Sequence, residues 1–163
     1  MEIARIVSNF EIDTEISKEC SSACVPIFLA GQNRVLKKGA LIGFHRPNWQ
    51  QDSMERYYDA KKEDFGWNTP FEFSNWVQKD TFEVATQLYD RFSQAGVAPE
   101  FISQAFKYDI EQMWYPSRTE LVNFGVVNLV ELAAMRPPTR PTNIKKIEDA
   151  FQEVQISQLE QTE

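Results

Sequence analysis

The stretch ECSSACVPIFLAG, residues 19–31, holds both cysteines of the chain and runs straight into a solid apolar segment. Residues 23–30 carry no charge. A segment of that length and polarity must be covered by other chain, and it reads as a buried helix starting near Ser22. Pro26 lies close to the first turn, where a proline is best tolerated, and Gly31 closes the helix. The next residues, NRVLKKGALIGFHRP (33–47), read as two strands around a turn at Lys38–Gly39. Ile42 and Phe44 share one face of the second strand, and Leu41, Gly43 and His45 share the other. Pro47 ends that strand just beyond His45.

The flanking sequence supplies further elements. Ile3, Ile6 and Val7 predict a short helix over residues 2–9, and EIDTEIS (11–17) alternates weakly, as an edge strand does. Residues 49–74 are rich in rings and read as irregular. Core packing is the simpler account of those rings; a cleft lining or an oligomer surface is the alternative. A long helix follows, with Trp76, Val77, Val84 and Leu88 as its apolar stripe and Gly96 as its stop. Pro99 starts another helix carrying Ile102, Ala105 and Phe106. Ser117 and Glu120 form a capping box for a short helix that ends at Gly125 and delivers the strand VVNLVEL. The organisation is one domain over residues 1–135, a Pro-rich linker at 136–143, and a polar tail at 144–163. Ile144, Ile147, Phe151 and Val154 give the tail a weak stripe, as a docking helix or a disordered segment would have.

Charge and composition exclude several classes. At 163 residues and 42% hydrophobic, the chain is long enough to bury a real core. A net charge of −7 argues against a nucleic-acid partner, which needs a basic face. No apolar run reaches the roughly 18 residues that span a bilayer, so no transmembrane segment is expected. MEIARIVSNF carries an acid at position 2 and lacks a basic start followed by an apolar stretch, so no signal peptide is visible.

The cysteine stretch admits three chemistries. A zinc site fits poorly, because two cysteines four residues apart and one histidine do not make the usual ligand set. Cys20 and Cys24 are either two buried thiols or a disulfide across a sharp turn. Ser22 is either a plain helix cap or a nucleophile at a helix mouth, with His45, the sole histidine, as the base that takes its proton.

Read as a unit, CSSACVPIFLAGQNRVLKKGALIGFHRP resembles the nucleophile-to-histidine segment of the Clp protease proteolytic subunit. It is still more similar to the periplasmic ClpP-like branch of the Clp/crotonase superfamily. The matching elements are Ser22 before a small-residue apolar helix, FLAG (28–31), a basic-tipped hairpin in NRVLKKGA, and GFHRP (43–47). The Cys-x-Ser-x-Cys frame belongs to the periplasmic branch. WYPSRTELVNFGVVN (114–128) is similar to a downstream family helix.

The resemblance implies an α/β, ClpP/crotonase-like spiral fold. It implies a serine peptidase with Ser22 as nucleophile, His45 as base and an acid from Asp109 or Glu111 orienting the imidazole. It also implies a peptide or protein substrate, a homo-oligomer, a periplasmic setting and no cofactor. The family carries a strand and a Gly-Gly oxyanion loop upstream of the serine, whereas the first glycine here is Gly31. The chain therefore reads as N-terminally shortened. Two alternatives follow: an inactive ClpP-like scaffold that binds peptides or self-assembles, and a crotonase-type acyl-CoA enzyme.

Overall fold

A computed structural model describes residues 2–129. The expected linker at 136–143, the tail and residues 130–132 of the last expected strand lie outside the described residues. The order is α1 (Glu2–Asn9), β1 (Thr14–Ile16), β2 (Glu19–Ser21), α2 (Cys24–Leu29), β3 (Arg34–Leu36), β4 (Leu41–Gly43), α3 (Gln51–Lys61), α4 (Pro70–Gln94), α5 (Pro99–Ala105), a 3-10 turn (Ile110–Gln112) and α6 (Arg118–Asn123). Helices and parallel strands alternate in one mixed α/β arrangement. No helix among the described residues is long and apolar enough to cross a membrane.

The strands form two short parallel ladders. β1 pairs with β3, with Ile16 opposite Leu36, and β2 pairs with β4, with Ser21 opposite Gly43. Parallel partners need a crossover, and α2 supplies it, packing on α1, β1, β2 and α4. The hairpin expected around Lys38–Gly39 is therefore not formed: β3 and β4 each pair with an upstream strand instead of with each other. A local turn does close there, with Ala40 N donating to Lys37 O at 3.1 Å and Gly39 at φ +81°. The pattern of faces along a strand says which side is buried, and it is silent about the partner. Ile42 and Phe44 are buried on one face as expected, while Leu41 on the other is half exposed.

The core gathers Val25, Phe28 and Leu29 of α2, Leu36, Ile42 and Phe44 of the strands, and Phe92, Phe101, Ile102 and Leu121 of the later helices. Each such side chain contributes about 1.5–3 kcal/mol when removed from water. Arg34 is the one buried charged residue among those described. Its guanidinium donates to the carbonyls of Gly31, Ala95, Gly125 and Val126 at 2.8–3.2 Å. Burial lowers its pKa. This one side chain fastens the ends of α2, α4 and α6 to the strands.

Residues 49–74, expected to be irregular, instead contain α3 and the start of α4. No residue of α3 is fully buried, so the segment shows no apolar stripe. Its tyrosines instead pack ring against ring. Tyr57 stacks on Trp76 at 5.3 Å, and Phe65 stacks on Trp67 at 4.8 Å. Thr69 and Glu72 form a full capping box at the head of α4, with Pro70 in the first turn. The predicted box at Ser117–Glu120 is also formed.

Candidate functional site

Ser22 follows the last residue of β2. Its φ is +53°, one of two non-glycine residues in the left-handed region among those described. That conformation costs an L-residue roughly 1–2 kcal/mol. Cys20 and Cys24 are joined in a disulfide with Cα atoms 5.4 Å apart, and Ser22 is the middle residue of the closed loop. The bridge ties the buried middle residue of β2 to the first residue of α2, so the strained turn is pinned on both sides. Ser22 does not cap α2. The cap position belongs to Ala23, and no side chain caps it. The serine is exposed, and its carbonyl accepts from Val25 N at 3.0 Å.

His45 sits just beyond β4, the strand beside β2. Its backbone is held on both sides. Phe44 exchanges two hydrogen bonds with Trp114 at 2.8 and 2.9 Å, and Arg46 N donates to Tyr108 O at 2.9 Å. The segment 113–115 can pass this close because position 43 is glycine. A Cβ there would collide with Met113 and the Tyr115 ring. Nδ1 of His45 lies 2.8 Å from Arg46 O. A carbonyl only accepts, so Nδ1 carries a proton, and the neutral form of the ring has its lone pair at Nε2. Nε2 is buried without a protein partner.

Both residues line one cavity of about 790 Å³. The first turn of α1, the flank of α2, the middle of α4 and the end of α5 complete its walls. A cavity beyond the carboxyl ends of adjacent parallel strands is where α/β proteins bind ligands.

The expected acids lie elsewhere. Asp109 accepts from Arg46 Nη2 at 2.5 Å, Asn48 Nδ2 at 2.7 Å and Ile110 N at 2.8 Å. These contacts, led by the Ile110 amide, hold its carboxyl below the usual range. Glu111 is exposed and lines a shallow depression with Asn48, Trp49 and Asp52. Among the described residues, neither acid bonds to His45. The partner of His45 Nδ1 is instead the carbonyl of Arg46, a backbone atom that no residue type marks in the sequence.

Two further contributors were not read from the sequence. Asp80 of α4 lines the cavity and accepts from Trp49 Nε1 at 2.8 Å. Arg46 pairs with Asp109 and carries the carbonyl that meets His45. The adjacency of Arg46 to His45 was the available signal for the second; nothing local marked the first. Among the described residues no group of three or more His, Cys, Asp or Glu could hold a metal ion. Comparison of the sequence with protein-family models and with curated proteins returned no match.

Proposed function

We propose that the chain is a ClpP-like serine peptidase of the Clp/crotonase type. One observation carries the reading: a strained, disulfide-bracketed serine and an imidazole with a free Nε2 lone pair follow neighbouring parallel strands and open into one cavity. In this reading Ser22 Oγ attacks a peptide carbonyl. His45 Nε2 takes the hydroxyl proton and returns it to the leaving amine. Arg46 O keeps the proton on Nδ1 throughout. The backbone N–H after the nucleophile, that of Ala23, is the chain's own donor for the developing oxyanion. Parallel pairing across α2 supports the ClpP/crotonase-like topology.

A second reading is supported by the engagement of Asp109 with Arg46 instead of His45. The chain then keeps the cavity to bind peptides without cleaving them. A fluorophosphonate probe separates the two. Stoichiometric labelling that disappears in Ser22→Ala and falls in His45→Ala supports the peptidase. A folded, unlabelled protein supports the scaffold.

Self-association belongs to the same proposal. Phe71, Phe82 and Tyr89 of α4 are 84%, 68% and 45% exposed. Their spacings of 11 and 7 residues put them on one face of the helix. That face suits a second copy of the chain.

A further inference from the structure

We infer that the cavity selects a substrate carrying a cationic group close to the reacting carbonyl, and that Asp80 is the residue that reads it. The inference rests on the proposed placement of that carbonyl at Ser22 and His45. Asp80 projects from the middle of α4 into the cavity and has a single hydrogen-bond donor, Trp49 Nε1, among the described residues. It has no ion pair there, although an ionised carboxylate has room for about four donors.

The charged side chains lining the cavity are Glu2 and Asp80, and no lysine or arginine joins them. The rest of the wall is largely carbon, including Pro26, Ile27, Val84, Leu88 and Phe106. Low-dielectric walls around charge of one sign concentrate its field inside the cleft. Such a cleft suits the aliphatic stem of a lysine or arginine and the cation at its tip.

The placement agrees with this. Trp49 Nε1 holds the Asp80 carboxylate, and both residues line the same cavity as Ser22 and His45. The same charge disfavours polyanionic ligands. It therefore argues against the acyl-CoA alternative, whose phosphates would meet two carboxylates and no cation.

The test separates binding from turnover by using Ser22→Ala. Three acetylated tripeptide amides, differing only in a central Arg, norleucine or Glu, are titrated by calorimetry. The Arg peptide is expected to bind about tenfold more tightly than the norleucine peptide, equivalent to about 1.4 kcal/mol, and the Glu peptide most weakly. In Ser22→Ala/Asp80→Asn the Arg preference is expected to vanish. In Ser22→Ala/Asp80→Glu, which keeps the charge, it is expected to persist. Thermal melts check folding, and the Asn side chain still offers Trp49 an acceptor.

Equal binding of Arg and norleucine peptides overturns the inference. So does a preference that survives Asp80→Asn, or an absence of binding by all three at millimolar concentration. Fluorophosphonate labelling of the parent chain distinguishes this failure from that of the peptidase reading. Labelling without an Arg preference removes the inference alone. An Arg preference without labelling removes the peptidase and leaves a cation-binding cavity.

Discussion

His45 donates its Nδ1 proton to the carbonyl of Arg46, 2.8 Å away, and not to a carboxylate. The tautomer is thus set by the backbone, and Nε2 is left as an unpartnered acceptor on a residue that lines the same cavity as Ser22.

The first prediction follows directly. Asp109→Asn should change the rate of fluorophosphonate labelling by less than about threefold, whereas losing the acid of a true Ser-His-Asp triad costs about 10⁴. A drop of a hundredfold or more would mean that the carboxyl reaches His45 in the working state. The same substitution has a pH signature. The folded pKa of Asp109 is depressed below 3.8. Its stabilisation is therefore present above the unfolded pKa and is lost as pH falls through the folded one. Urea midpoints of parent and Asp109→Asn should converge as the pH is taken below about 4.

Ser22 carries the strain of a left-handed residue. Ser22→Ala keeps that strain and Ser22→Gly removes it, so the glycine variant should be the more stable of the two by about 1 kcal/mol. Urea denaturation at neutral pH reads the difference. An alanine variant as stable as the glycine one would show that the turn relaxes without cost.

The Cys20–Cys24 loop is short, and chain-entropy arguments give its bridge about 2 kcal/mol. Reduction, or the double change Cys20→Ser/Cys24→Ser, should lower stability by that order. It should also slow labelling of Ser22 by more than the fraction of unfolded protein accounts for, because the loop no longer holds the serine. Labelling that tracks only the folded population would reduce the bridge to a staple.

Arg34 satisfies four carbonyls from three regions of the chain. Arg34→Met should cost about 3–5 kcal/mol, within the range for removing the buried partner of several polar groups. Arg34→Lys should recover only part of this, because an ammonium lacks the planar fork of donors. Denaturation midpoints of the two variants give the ranking, and a lysine variant equal to the parent would refute it.

Phe82 stands on the exposed face of α4 between Phe71 and Tyr89. Phe82→Glu should shift a self-associating sample toward monomer in sedimentation velocity, with little change in melting temperature of the isolated fold. A parent chain that is monomeric at all concentrations tested removes this surface from the account.

Much of the local structure was legible because its causes are local. α1 announces itself by apolar spacing, α2 by an unbroken uncharged run, and Ser117 with Glu120 announces α6 by the chemistry of a helix start. The turn at Gly39 is equally local, and it is present. The failed hairpin shows the limit. Whether the chain beyond Gly39 returns to β3 or crosses to β2 depends on the crossover made by α2, a relationship between distant residues. α3 was invisible for a different reason: its side chains pack ring on ring against Trp67 and Trp76, which leaves no helical stripe in the hydropathy.

The sequence by itself determined the candidates Ser22 and His45, the cysteine pair around the serine, the helix that follows Ser22 and the strand that leads to His45, since these depend on residue type and short spacing. Only the tertiary structure decided that the cysteines are bridged, that the two side chains line one cavity, and that Arg46 O orients the imidazole. It also decided that Asp80 joins the site. The physical reason is that carbonyls look alike in every residue, and contacts across dozens of residues are settled by packing, which no local pattern records.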